Sequence, residues 1–505
     1  MSLSKLKLPS LAFVHKWLGL IIGAWLFVLG STGFLLLNRH WEWQGTSGLP
    51  LPGLARELGA HNDKYLWRQF QMDPANPDWR IAAGAAGAFV SEDRGESWKR
   101  VPFGDRSGHD VQGIEIAKTE PFALYAATAN GIWKLNAERE GFEPVGLQGR
   151  RVTSLSSDGD TLLAVIGRSS VMETKLSELA LDWTRVELGA PPAGAKAKEI
   201  DLGRFLQDLH NGRGLFGGAV DHFIWSLTSI GLALLAITGL LYWLGLKRGL
   251  EARKRAKLQG ASKKPIEQWR KAVQWSFRLH ASVIGIIIAI PLTITFLTGI
   301  YQDHRSDVQQ SFRKIMVPDI VATPAYSTKG WAGRIYGAAL AETSDGQKIA
   351  LATRNGVFLS PDGGQTWAQD LTFKGPAMRM RRIGDELIVP GRMMRRVQKR
   401  DEEGWKVLDV PMGAVMSNEM TLSQGKLYWQ RGENIFITTP EGEMRGKSDH
   451  NPPGLEYVPW GLLALSVHDG ALFHEQWKWI NDLIALAGLA LVGTGILRWA
   501  KRKKW

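Results

Sequence analysis

The chain has 505 residues, 44% of them hydrophobic and 22% charged, with a formal charge of +13 and no cysteine. Without thiols it has no disulfide, thiolate-bound zinc, iron–sulfur cluster or c-type haem attachment, so any metal chemistry falls to His, Asp, Glu, Met or Tyr. The apolar residues gather in four nearly uncharged runs, 17–37, 223–246, 281–300 and 479–497, each long enough at about 1.5 Å per residue to cross a hydrocarbon core, and a wholly soluble protein is thereby excluded.

The charge sits beside these runs. Segments 1–16, 247–271 and 498–505 carry eighteen Lys/Arg against Glu251 and Glu267, a net +16, so the other residues sum to −3. Basic residues in short pieces flanking apolar runs orient a membrane protein and do not read nucleic acid. They predict, in chain order, a cytoplasmic N-terminus (1–16), helix one (17–37), an external segment (38–219), helix two (220–246) and a basic cytoplasmic loop (247–276). Helix three (277–301), a second external segment (302–477), helix four (478–498) and a cytoplasmic tail (499–505) follow. Run one exceeds a secretory h-region and precedes Asn38-Arg39-His40-Trp41, with no small-residue cleavage site, so it reads as an anchor. Tryptophans near the run ends suit an aromatic belt at the lipid interface.

The chain is two copies of one plan, helix out, external segment, helix back. Each run holds a Thr-Gly near its end, Thr32-Gly33, Thr238-Gly239, Thr298-Gly299 and Thr494-Gly495. Such residues, with Gly19 and Gly23, are expected to let helices approach closely in lipid.

The external segments carry short β-type runs spaced by about 40 residues: 80–84, 123–127 and 162–166, then 349–353, 386–389 and 426–429. That period predicts a mainly β extracytoplasmic domain, propeller-like or a related sheet repeat, built from both segments together. Residues 55–70 and 331–341 read as helical. Ser91–Trp98 and Ser360–Trp367 both fit S-x-D-x-G-x-[ST]-W, which resembles the Asp-box of bacterial neuraminidase-type repeats. There Asp and Gly build a hairpin turn with Trp packed beneath it.

Ionisable residues next to membrane helices mark function, and histidine stands out. His15 and His280 begin runs one and three on the cytoplasmic side; His210 and His468 precede runs two and four on the outer side, in the matching contexts Leu209-His210-Asn211-Gly212 and Val467-His468-Asp469-Gly470. Neutral imidazoles on facing helices hold a b-type haem without a covalent link. His15 with His280, and His210 with His468, would hold two haems at opposite surfaces and form an electron path through the membrane. His222 and His474 are reserve outer ligands; His61, His109 and His450 read as loop residues.

The pattern resembles the PepSY-associated transmembrane proteins of bacterial inner membranes. It rests on His15-Lys16-Trp17-Leu18-Gly19-Leu20 leading to Thr32-Gly33, on Arg278-Leu279-His280 leading to Thr298-Gly299, and on the two later His-x-Gly starts leading to Thr-Gly and to Trp243 or Trp499. The resemblance implies a haem-containing reductase of ferric iron or ferric siderophores on the periplasmic side. With no G-x-G-x-x-G opening a βαβ unit, electrons must come from a cytoplasmic flavin reductase or quinol. The alternative is a non-enzymatic inner-membrane receptor or assembly factor whose β domain binds a protein or glycan.

Overall fold

The computed structural model describes residues 10–61, 67–106, 108–119, 121–177, 181–259, 264–318, 323–343, 346–384, 386–391, 396–401, 403–415, 417, 419–451 and 453–502. Much of the basic charge at 1–9 and 503–505, and part of the expected basic loop at 260–263, lies outside these residues. The chain divides into two compact units, one of residues 1–38, 201–316 and 464–505, the other of 39–200 and 317–463. The second unit draws on both external segments, as the common strand period predicts. The ends of those segments, 201–219, 302–316 and 464–477, belong instead to the helical unit.

The helical unit contains α1 (Leu11–Leu37), α2 (Leu202–His210), α3 (Gly218–Gln259), α4 (Lys264–Phe277), α5 (Ala289–Asp303), α6 (Trp460–His468, begun in the other unit) and α7 (Lys478–Arg502). Ser10 caps α1 by accepting from the Phe13 N–H at 3.2 Å, satisfying one of the donors a helix start leaves open. Three helices, 11–37, 218–258 and 475–501, are long and apolar enough to cross a membrane, and the pair 266–287 and 289–303 adds a fourth if it counts as one span. Run three is therefore not one straight helix: the pair is bent by 66°. Pro291 explains the break, because its ring lacks an N–H and crowds the carbonyl of Ile287. Just before it, Arg278–Ile284 is a π-helical stretch. The expected loop at 247–276 is helical over 247–259 and 264–276.

Leu26, Leu232, Ile288, Leu292, Phe296 and Ile484 form the centre of this unit, while Ile21 and Ile290 are 75% and 76% exposed, the inside-out apolar surface of helices that face lipid. Gly19 and Gly23 do not form a tight crossing: a Cβ at Gly23 would meet nothing within 4 Å. The close approach is at Gly30, where a Cβ would lie 2.7 Å from the Ser229 carbonyl of α3.

Among the described residues, the second unit holds six separate four-stranded antiparallel sheets in simple meander order, and no closed barrel. Their first strands are β1 (Gln69–Met72), β2 (Val111–Thr119), β3 (Val152–Ser157), β4 (Ile335–Thr343), β5 (Arg381–Ile383) and β6 (Glu419–Ser423). All six β-type runs of the sequence fall in the second strand of a sheet, Arg80–Gly84, Phe122–Thr128, Thr161–Ile166, Gly346–Thr353, Glu386–Val389 and Lys426–Arg431. These strands are buried on both faces, which is why they read as unbroken apolar runs. Apolar clusters lie between consecutive sheets, such as Ile388, Val397, Met420 and Trp429 between the fifth and sixth. The Thr421 hydroxyl donates to Gln71 at 2.8 Å and ties β6 to β1. Residues 55–61 are helical within Pro52–His61 as expected, 62–66 lie outside the described residues, and 69–70 open β1 and 335–341 lie in β4 instead of helices. Alanines there favour a helix locally, and pairing with Gly346–Thr353 overrides that preference.

The two S-x-D-x-G-x-[ST]-W segments form the same turn between the third and fourth strands of sheets one and four. Ser91 accepts from the Gly95 N–H at 2.7 Å and Asp93 from the Ser97 N–H at 2.9 Å; Ser360 and Asp362 repeat this with Gly364 and Thr366 at 2.7 and 2.9 Å. These bonds, the serine or threonine hydroxyl foremost, pull both carboxyls down to about 2. The tryptophans differ. Trp367 is 7% exposed and packs on Trp331 at 5.3 Å, whereas Trp98 is half-buried beside His450 at 6.1 Å.

Two outcomes follow. Trp367→Ala is expected to destabilise the unit by about 3–5 kcal/mol, a core aromatic truncation, and Trp98→Ala by roughly 1–2 kcal/mol; equal losses in denaturant melts would contradict the difference in burial. His450 is buried, and burial lowers its imidazole from 6.5 to about 4. Between those values the unfolded chain binds a proton the folded chain refuses, so stability is full above 6.5 and falls as the pH drops toward 4. His450→Gln should flatten that acid loss by on the order of 3 kcal/mol, measured as the wild-type minus variant difference across a pH series.

Candidate functional site

Four histidines and four threonines of the helical unit form one repeated contact. His15 Nδ1 lies 2.9 Å from the hydroxyl of Thr494, His280 Nδ1 3.0 Å from Thr238, His210 Nδ1 3.2 Å from Thr298 and His468 Nδ1 2.8 Å from Thr32. Each bond crosses between helices: α1 to α7, the π-helical stretch to α3, α2 to α5, and α6 to α1. Histidine and Thr-Gly of one half thus meet their counterparts in the other half or in the neighbouring helix, never in the same helix.

Each threonine hydroxyl hydrogen is already committed. Thr494, Thr238, Thr298 and Thr32 all donate at 2.7 Å to the carbonyl four residues earlier, of Ala490, Leu234, Ile294 and Val28. The hydroxyl oxygen can then only accept, so the imidazole donates through Nδ1–H and its lone pair resides on Nε2. A ring held through one nitrogen with the other left basic is the arrangement of a metal-ligating histidine. The glycine after each threonine lies against the ring: a Cβ at Gly495 or Gly239 would stand 3.3 Å from the Cε1 of His15 or His280, a tight approach, and one at Gly299 or Gly33 3.6 Å from that of His210 or His468, an ordinary contact. The Thr-Gly pairs therefore seat histidines, where the sequence alone suggested only helix packing.

The rings of His15 and His280 are perpendicular, with centroids 6.2 Å apart. Two imidazoles this close, each with Nε2 as its basic nitrogen, are a donor pair that could hold one metal centre between them. Both rings line an apolar cavity of about 770 Å³, with Gly19, Gly23, Gly239 and Gly495 in its wall and Lys16 and Arg498 supplying positive charge. The residues fit a large flat cofactor with acidic side groups. On the other side His210 and His468 are held down to about 4, both mainly by burial and His468 also by the neighbouring charge of His210, so both are neutral imidazoles at physiological pH. Among the described residues, no three His, Cys, Asp or Glu side chains converge as around a bare ion; an axial pair needs only two.

The reserve histidines are placed otherwise. His474 is exposed and its Nδ1 caps a short turn by accepting from the Gln476 N–H at 3.0 Å; His222 is half-buried near the start of α3. His109 and His450 lie in loops as expected, though buried in the β unit at 0% and 6% exposure, whereas His61 ends the helix Pro52–His61. Asp221 is a structural residue the sequence did not flag: fully buried, it accepts from the backbone N–H groups of Leu215, Phe216 and Gly217 at 2.8–3.0 Å and fixes the turn between α2 and α3.

The PepSY-associated TM region model matches residues 12–502. The chain belongs to the PepSY-associated TM family. The match runs through the four histidines and their threonine partners alike. Among curated proteins, none matches. Of solved structures, an ancestral GH74 enzyme is similar at 8% identity and a TM-score of 0.32, over 76% of this chain and 38% of that one. BamB from Moraxella catarrhalis is similar at 9% identity and a TM-score of 0.30, over 76% of this chain and 88% of that one. The chain thus spans well under half the length of the GH74 enzyme.

Replacing any one of these threonines by valine keeps the shape and removes the hydroxyl acceptor from a buried ring. Each Thr→Val change is expected to destabilise the PepSY-associated helical unit by about 1–3 kcal/mol, and Thr→Ser by much less. Thermal melts of the detergent-solubilised variants measure this, and equal effects of Val and Ser would show that the hydroxyl plays no part.

Proposed function

We propose that this protein carries electrons across a bacterial inner membrane through two b-type haems, to reduce a ferric iron or ferric-siderophore substrate on the periplasmic side. The observation that carries the reading is the fourfold Thr–His contact, which presents Nε2 as the basic nitrogen of His15, His280, His210 and His468. His15 and His280 would hold one haem and His210 and His468 the other. Held by these four histidines, haem would supply one-electron transfer. The chain's own residues orient the imidazoles, keep them neutral and exclude water with an apolar wall, while Lys16 and Arg498 meet acidic groups at the cavity.

In this reading the bent pair is one span, so four helices cross the membrane, both termini and the basic segment at 247–276 are cytoplasmic, and the β unit is periplasmic, in accord with where Lys and Arg concentrate. The six sheets are blades of a propeller, which the contacts of β1 with β2, β2 with β3, β3 with β4, β4 with β5 and β1 with β6 support. A separate cytoplasmic flavin reductase or quinol donates the electrons.

Purified protein should show the Soret and α bands of a reduced b-type haem, at about two haems per chain. His15→Ala and His210→Ala should each leave about one and stop transmembrane electron flow, since one haem does not bridge a core of roughly 30 Å. A colourless protein would favour a non-enzymatic receptor, and a ratio unchanged in His210→Ala would move the outer ligand to His222 or His474.

A further inference from the structure

The β unit has a second cavity of a different kind, about 280 Å³ in volume, to which each of β1 to β6 contributes a residue. Six arginines line it, Arg39, Arg68, Arg151, Arg168, Arg379 and Arg381. Three carboxylates answer part of that charge. Asp110 pairs with Arg68, Glu419 lies 3.1 Å from Arg379 and 3.2 Å from Arg381, and Glu115 also pairs with Arg381. These pairs are structural: the Arg381 guanidinium also donates to Gln69 at 3.1 Å and to the Ile114 carbonyl at 2.9 Å, and so ties β5 to β1, β2 and β6.

Arg151 and Arg168 have no carboxylate of their own: the Asp110 charge reaches Arg151 only at longer range, and Arg168 donates to the Tyr336 hydroxyl at 3.5 Å. Among the described residues neither lies within ion-pair distance of a carboxylate. Arg168 rests over the Tyr336 ring at 4.4 Å, a contact that leaves the edge of the guanidinium for other acceptors. The Nε of Arg151 is buried and lacks a hydrogen-bond partner. Burial, with the charge of Arg168 next, lowers the Arg151 guanidinium to about 10. Two guanidiniums without an ion-pair partner of their own, facing one polar cavity, are costly for folding alone. They are what planar, bidentate recognition of carboxylate or phosphate oxygens requires.

We propose that this cavity is a binding site for a small, multiply charged oxyanion, held between Arg151 and Arg168. The volume sits just below the roughly 300–1,000 Å³ of drug-sized ligand pockets, which suits an anion the size of a tricarboxylate or a diphosphate. The site stands on the β unit alone and does not depend on whether the helical unit binds haem.

Full-length protein in detergent is titrated by calorimetry with citrate and, separately, with pyrophosphate at low ionic strength. Saturable binding at one per chain is expected for at least one, and the stronger of the two tells carboxylate from phosphate recognition. Arg151→Gln and Arg168→Gln should each weaken binding by about tenfold or more, the loss of a charge-assisted contact, while Arg185→Gln, at an exposed strand position, leaves it unchanged. In the absence of anion, Arg151→Gln should melt at or above the wild-type temperature, because it removes a buried charge that has no ion-pair partner. If the variants misfold, the wild type still decides: its melting temperature should rise with the bound anion and not with chloride at equal ionic strength. No saturable binding of either anion, or equal binding by the Arg151→Gln/Arg168→Gln double variant, would overturn the proposal.

Discussion

A threonine hydroxyl has one hydrogen, and in four places this protein commits it to the carbonyl one turn back. Everything about the helical unit's site depends on that commitment. With the hydrogen used, the oxygen can only accept, and each facing imidazole has one tautomer and one orientation open to it. A serine or threonine mid-helix is ordinarily a mild liability, since back-bonding bends the helix. Here it prepares an acceptor aimed at a neighbouring helix, and at Gly239 and Gly495 the following glycine keeps a Cβ from crowding the ring. Because each contact joins two helices, the same four bonds that orient the rings also set which helices are neighbours.

The β unit solves a different problem. Six small sheets each have a buried second strand, and none is stable as an isolated meander of short strands. Apolar clusters between consecutive sheets supply most of the adhesion. Where the first strands come together the chemistry turns ionic. Arg381 joins Glu115, Glu419, Gln69 and Ile114 from three neighbouring sheets. Burial opposes its charge, yet the two carboxylates more than offset this and raise its pKa above the ordinary guanidinium value. Removing either partner would strand a buried charge, so the network is fixed in composition even where its net contribution to stability is small.

Much of this was legible in the residues. The four hydrophobic runs, the six second strands and the four histidines all stood out, because each is marked by a local pattern: length without charge, an unbroken buried apolar run, or an ionisable residue beside lipid. Legibility stopped where meaning depended on a partner elsewhere in the chain. The Thr-Gly pairs were visible four times, at like offsets in both halves, and still read as packing residues, since nothing local tells Thr494 that it faces His15, 479 positions away. Residues 335–341 looked helical for the same reason: alanine's preference is local and the strand that overrides it is not.

By itself the sequence determined that this chain enters a membrane, that it is a duplicated plan with a sheet-rich unit drawn from both copies, and that no thiol carries any chemistry it has. Those properties follow from composition and period, which survive without knowledge of any contact. Only the tertiary structure decided that run three is bent at Pro291, that Trp98 and Trp367 serve identical turns with unequal burial, and that the four threonines choose the histidine tautomer. It alone gathered arginines from distant parts of the chain around one cavity. Each of these is a relation between residues far apart in sequence, and a hydrogen bond or an uncompensated charge exists only once the chain has brought both ends together.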